Sequence, residues 1–287
     1  MKTIRLFVTA IILLIAFGAA LYTQRVDVMQ WYREVTAPVL PEAVGYEEVG
    51  KVDEVDQVEK VDEVDESTEE AIEEIPSDSS VPADLSVNED TTDETQLTAV
   101  NLAVPFTPQA PQGNWDVPYQ EACEEASVYM VQQFYQGSPE GLINADQADT
   151  DILQIVAFEK ELFGFYEDTT AEQVATFAEL MFGYTTQLII DPTIDDIKAQ
   201  LALGHPVIVP AAGRELHNPY FTAPGPVYHM LVIRGFTQDD QFIVNDPGTY
   251  RGEAYLYDFD TLMNAMHDWN NGGEITQGRK VVIVLSP

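Results

Sequence analysis

The order of hydrophobic patterns predicts an α+β domain, with helices first and an antiparallel sheet second. Three observations carry that prediction. Segments 121–134, 150–162, 170–182 and 193–203 have apolar residues at helical spacing or helix-start signals. From Pro206 onward the pattern changes to short apolar runs that read as strands: Pro206-Val-Ile-Val209, His229-Met-Leu-Val-Ile233, Gln241-Phe-Ile-Val244 and Lys280-Val-Val-Ile-Val-Leu285. A change of composition near Asn101 marks where this patterned region begins, leaving 187 residues, enough for one well-buried domain.

Before that boundary the chain has two parts. Lys2 and Arg5 precede an uncharged apolar run of 17 residues from Leu6 to Tyr22. Its length lies between a signal-peptide core and a full membrane span, so residues 1–24 read as a signal peptide or membrane anchor. Gly18 and Ala20 suit cleavage, whereas Trp31-Tyr-Arg33 suits the interfacial end of an uncleaved helix. Either way the expected location is extracytoplasmic, membrane-anchored or secreted. Residues 25–100 read as an acidic, disordered tether, because their charge exceeds what scattered valines could offset by burial. Lys51-Val-Asp-Glu-Val-Asp56 recurs as Lys60-Val-Asp-Glu-Val-Asp65, a low-complexity repeat without the glycine and terminal glutamate of a calcium loop.

Within 101–287, Val104-Pro-Phe106 reads as a short strand or extended entry, and 107–118, rich in Pro, Gln, Gly and Asn around Trp115, as a covering loop. The first helix follows, with Ala126, Met130, Val131 and Phe134 on its apolar face. Thr170-Ala-Glu-Gln173 is a capping box, and Thr193-Ile-Asp-Asp196 a weaker start signal. Gln238-Asp-Asp240 reads as the turn of a hairpin, and 258–267 as one more helix. The loop 211–227, with Tyr220-Phe-Thr-Ala-Pro-Gly-Pro226, leads straight into His229 and is expected to wall a cleft.

Charge narrows the function. A net charge of −36 argues against nucleic acid or an anionic lipid surface as the main partner, so membrane contact is expected through the N-terminal segment only. The single cysteine, Cys123, can form no intramolecular disulfide and has no metal-type spacing around it. It stands at the start of a helix, where a partial positive charge favours a thiolate. Nucleophilic catalysis by a thiol needs an imidazole in reach, a polar group to orient it, and a donor for the developing oxyanion. His229 begins a strand 106 residues after Cys123, and Asp246 ends the next strand; pairing through the short turn would bring the two together across the hairpin. Asn245 is the alternative orienter. Glu124 and Glu125 read as first-turn acids facing the helix dipole, their charge opposing a thiolate. His205, His217 and His267 read as structural or solvated, and Trp115 and Tyr228 as cleft wall or core.

The set Val104-Pro-Phe-x-x-Gln109, Ala122-Cys123-Glu-x-Ala-Ser127, Gly204-x-Pro-Val-Ile208, His229-x-x-Val-Ile-x-Gly235 and Val244-Asn-Asp-Pro247 resembles the papain-like bacterial cysteine peptidases related to the bacteriocin leader-processing enzymes. The resemblance spans essentially all of 101–287 and implies a papain-like peptidase domain there. It implies Cys123 as nucleophile, His229 as general base and later acid, Asp246 as orienter and Gln109 as oxyanion donor, with Gln120 the alternative. No metal or organic cofactor is implied. The expected activity is hydrolysis of peptide or amide bonds through a thioester, on a peptide or cell-wall substrate. An amidase or acyl transferase on the same fold, or a non-catalytic binding domain, are the alternatives.

Overall fold

The computed structural model describes residues 39–49 and 99–287. The apolar run from Leu6, both acidic repeats and most of the expected tether lie outside the described residues. Among the described residues no helix is long and apolar enough to cross a membrane.

Within residues 99–287 five α-helices form: α1 (Cys123–Tyr135), α2 (Ala145–Phe163), α3 (Ala171–Phe182), α4 (Ile194–Ala202) and α5 (Phe259–Ala265). Their ends follow local chemistry. Thr170 with Gln173, and Thr193 with Asp196, make full capping boxes for α3 and α4. The second helix starts earlier than its apolar pattern suggests, because Asn144 caps it by accepting from the N–H groups of Asp146 and Gln147. It ends at Gly164, where φ is 85°, a left-handed conformation that glycine adopts without a Cβ clash.

Among the described residues seven strands form one antiparallel sheet: β1 (Val100–Asn101), β2 (Thr185–Ile190), β3 (Val207–Ala212), β4 (Tyr228–Phe236), β5 (Gln241–Asn245), β6 (Tyr255–Asp258) and β7 (Val281–Ser286). The order is β2-β7-β3-β4-β5-β6, with β1 pairing the far end of β4. Every residue of β3 and β4 is buried, so both faces of the sheet centre are covered, since successive side chains point to opposite faces. The first helix packs on β4, α3 on β2 and β7, and α4 and α5 on β3. The strand β1 crosses β4 so closely that a Cβ on Gly235 would stand 2.2 Å from the Val100 carbonyl oxygen. A bulge at Ile233/Gly235 accommodates the approach.

Three strands carry no sequence-level expectation, among them the two-residue β1 at the end of the expected tether. The edge strand β2 is only half-buried, and its Thr-Thr-Gln start gives no apolar alternation. The four-residue β6 is too short for a period to show. The sheet is therefore not confined to the C-terminal half of the domain: β2 falls between α3 and α4.

Within the stretch expected as tether, residues 42–49 pack on the domain, and they belong to the same compact unit as the sheet. Val44 bridges Leu102 in parallel, donating to the Asn101 carbonyl (2.9 Å) and accepting from Ala103 N–H (2.8 Å). Tyr46 sets its ring edge-on to Phe134 and Tyr135, with centroids 5.7 and 4.9 Å away. Val49 lies where a Cβ on Gly204 would come within 2.5 Å. Val44, Tyr46 and Val49 are the large apolar residues of this run, and their burial favours its docking.

Candidate active site

Cys123 is the first residue of α1 and is buried. The helix runs inward from it: all residues from Cys123 to Val131 are buried, as expected of a helix enclosed on every side. On the facing wall, His229 is the second residue of β4, and Asp246 follows directly on β5. The hairpin brings them into contact, His229 Nε2 lying 2.7 Å from Asp246 Oδ1. Cys123, His229, Gln109 and Gln120 line one cavity of about 480 Å³, together with Trp115, Tyr228 and Trp269. The Met230 backbone N–H is close enough to the Cys123 sulfur to lower its pKa, which sets the thiol near the residue following His229.

The Asp246 carboxylate is fully engaged. Its Oδ1 also accepts from Gly248 N–H (3.0 Å), and its Oδ2 accepts from Tyr257 Oη (2.7 Å) and Asn218 Nδ2 (3.0 Å). Burial alone would push this carboxyl up; the charge and hydrogen bond of His229, with the donors Tyr257 and Gly248, outweigh burial and hold it below the usual carboxylate range. The same surroundings push the Tyr257 phenol well above its ordinary value, first by burial and then by Asp246. Phe221 meets the imidazole edge-to-face at 5.3 Å. Gly248 is obligatory at its position, because a Cβ there would come within 2.8 Å of Phe221 and 2.9 Å of His229.

Asn245, the alternative orienter, is occupied elsewhere: its Nδ2 donates to the carbonyls of Val104 and Pro105 (3.0 and 3.1 Å). Those bonds fasten the entry segment that carries Gln109. Gln109 is buried, its backbone N–H donates to the Pro247 carbonyl (2.9 Å), and its Nε2 spends one hydrogen on the Tyr119 carbonyl (2.8 Å). The second hydrogen is left for the cavity. Tyr228 does both things expected of it, lining the cavity and reaching into the core to donate to the Thr169 carbonyl (3.0 Å). His205 contacts Gln200 and His267 contacts the Gly278 carbonyl, while His217 is exposed; none lines the cavity.

The first-turn acids stand at the start of α1 as expected, but they are buried. Glu124 and Glu125 are 1% and 0% exposed, so neither is a solvated partner of the helix dipole. Glu124 accepts from the Cys123 thiol through Oε2 (3.0 Å) and from Thr169 N–H through Oε1 (3.1 Å). Glu125 faces Glu159 of α2, also fully buried, and neither carboxyl has a hydrogen-bond partner among the described residues. Burial pushes both up, Glu159 to about 8, so the pair retains a proton near neutral pH. None of the ion pairs among the described residues involves these three acids. Burial likewise pushes the Cys123 thiol well above its ordinary value, and the charge and hydrogen bond of Glu124 push it further; only the Met230 N–H pulls it back. The helix start alone therefore does not make a thiolate.

Sequence reasoning gave no role to Asn218, Tyr257, Thr169, Asp268 or Trp269. Asp268 fastens the wall behind Tyr228, accepting from the N–H groups of Ala171 and Trp269 (both 2.9 Å) and pairing with Arg279. No local signal marks Asn218 or Thr169, which lie in irregular loops and act through distant partners. The run Tyr255-Leu-Tyr257 was readable as a short aromatic strand. Among the described residues no group of three or more His, Cys, Asp or Glu side chains is arranged to hold a metal ion.

The sequence profile of the Peptidase_C39 like family matches residues 101–276. The chain belongs to that family, and its mixed helices and antiparallel sheet are the papain-like α+β fold. Two solved structures are similar to it. One is a C39-like peptidase from Bacillus anthracis, 16% identical, covering 66% of this chain and 98% of that one with a TM-score of 0.44. The other is the peptidase domain of Streptococcus ComA, a bifunctional ABC transporter involved in a quorum-sensing pathway, 17% identical over 64% of this chain and 98% of that one, TM-score 0.38. No curated protein matches the chain.

Proposed function

We propose that the domain is a cysteine peptidase in which Cys123 is the nucleophile, His229 the general base and acid, Asp246 the orienter and Gln109 the oxyanion donor. The observation that carries this reading is the buried 2.7 Å contact between His229 and Asp246, on the same cavity as the chain's single thiol. With Nε2 engaged by Asp246, Nδ1 is the ring nitrogen available to sulfur. The Cys123 S–H proton passes to Nδ1 as sulfur bonds to the substrate carbonyl carbon. The carbonyl oxygen takes up negative charge facing the Gln109 amide and the Cys123 backbone N–H, one of the donors a helix start leaves unpaired. The C–N bond then breaks, the leaving nitrogen takes the proton from Nδ1, and a thioester remains. Water attacks that thioester, giving one proton to Nδ1 and its hydroxyl to carbon; sulfur leaves and recovers the proton.

The cavity lining includes the acids Glu121 and Asp168 beside the buried Glu124, and neither lysine nor arginine, which favours substrates carrying positive charge. We take the domain to be exported, by the N-terminal apolar run, to act outside the cytoplasm on peptides or cell-wall material. Incubating wild type and C123A with peptide libraries and with peptidoglycan, and reading products by mass spectrometry, tests chemistry and substrate class together. New peptide or amide termini made by wild type alone support the reading. Identical digests from both proteins would leave a binding domain, and acyl-transfer products would favour the transferase.

A further inference from the structure

The Cys123 sulfur has a nearest polar side chain that the triad does not use. Glu124 Oε2 accepts its S–H at 3.0 Å, and the carboxyl cannot swing away, because Thr169 N–H holds the other oxygen at 3.1 Å and the side chain is 1% exposed. Thr169 is itself tied to the opposite wall through Tyr228, the residue before His229. Around Glu124 stand Glu125 on α1, Glu159 on α2, Tyr166 and Asp168 from the α2–α3 loop and Tyr228 on β4, a surrounding of acids and phenols. Burial and the neighbouring Glu125 push the Glu124 carboxyl well above its ordinary value, so Oε2 acts on the sulfur as the acceptor of its S–H rather than as a fixed charge.

We infer that Glu124 is a further catalytic-site residue that restrains the nucleophile: its carboxyl holds Cys123 as the thiol, and the S–H must leave Oε2 before its proton can pass to His229. The site rests unreactive, and an arriving substrate that turns sulfur toward His229 releases it. The push of Glu124 on the Cys123 thiol, second only to burial, agrees with this arrangement. The inference rests on Cys123 being the nucleophile.

The test is the rate of Cys123 labelling by iodoacetamide against pH, which needs no substrate, in wild type, E124Q, H229A and the E124Q/H229A double variant. The glutamine keeps the oxygen that Thr169 N–H uses and replaces the acceptor facing sulfur with an N–H donor. E124Q is expected to lower the labelling midpoint by at least about one pH unit and to raise the rate near pH 7 about tenfold. It should do so in the H229A background as well, since the restraint does not act through the imidazole. A simple packing role would move the melting temperature and leave the midpoint where it is. An unchanged or higher midpoint in E124Q overturns the inference. Wild type supplies an independent arm should E124Q not fold: its thiolate absorbance, read as the difference from C123A, is expected to titrate above the ordinary cysteine value of about 8.5, and a midpoint at or below that value also overturns it. Absence of peptide cleavage with the E124Q shift present would overturn the peptidase reading alone; cleavage without the shift would overturn only the restraint.

Discussion

On the strand wall of the cleft, His229 and Asp246 are buried together, and both carboxylate oxygens have donors from Tyr257, Asn218 and Gly248. On the helix wall, Glu124, Glu125 and Glu159 are buried as deeply, with no cation among the described residues paired to any of them. The first arrangement holds a charge by hydrogen bonds and keeps its carboxyl ionised. The second holds protons, because burial without a counter-charge favours the neutral acid. The difference teaches which half of the site is fixed in place and which is set by protonation: the base and its orienter are preorganised, while the nucleophile sits on a surface whose charge depends on pH.

The comparison breaks most completely where the strand wall loses a member. H229A removes the proton acceptor and is expected to lower peptide hydrolysis by at least about 10²-fold, a general base being worth roughly that or more. D246N keeps the shape of the side chain but sets an amide N–H against the Tyr257 and Asn218 donors. It should cost a comparable factor in kcat, with KM changed little, read by steady-state kinetics on whichever peptide the library yields.

The helix wall is sharpened by E159Q. A carboxyl whose folded pKa is raised to about 8 keeps its proton while the unfolded chain has already lost its own. Stability must therefore fall as pH rises from about 4.5 to 8, by about 1.4 kcal/mol per pH unit for one such group, and level off above. Chemical denaturation of wild type at pH 5, 6.5 and 8 should show this decline, and E159Q should flatten it and be the more stable protein at pH 8. Equal slopes would mean that the Glu125–Glu159 pair is not protonated in the fold.

Smaller effects test the supports. Deleting residues 1–98 removes the docked turn with Tyr46 and Val49, and is expected to lower stability by about 2–3 kcal/mol while leaving Cys123 labelling unchanged. Y257F removes one donor to Asp246 and should cost about 1.5–3 kcal/mol of stability at neutral pH at most, with activity reduced a few-fold. A loss as large as that of D246N would make Tyr257 part of the chemistry rather than a support.

Much of the architecture was legible because local signals and packing agree. The capping boxes at Thr170 and Thr193 stand where the sequence puts them, and the apolar runs around Val207, Met230, Phe242 and Val282 are the sheet centre. The approach of His229 to Asp246 follows from pairing two strands through a short turn. What was not legible depends on burial that no single stretch reveals. Glu124 and Glu125 look like ordinary first-turn acids until α2 and the loop after it close over them. Asn218 reaches Asp246 from 28 residues away through an irregular loop. The half-exposed edge strand β2 has little apolar contrast to announce it, and the docking of 42–49 rests on Val44, Tyr46 and Val49 in an acidic run.

The most direct measurement of the central claim is the rate at which iodoacetamide labels Cys123 at pH 7, followed by intact mass in three proteins. If the strand wall activates the thiol and the helix wall restrains it, E124Q labels fastest, wild type next and H229A slowest. Equal rates in wild type and H229A would contradict the account, because Cys123 would then be a buried thiol that owes nothing to the imidazole across the cleft.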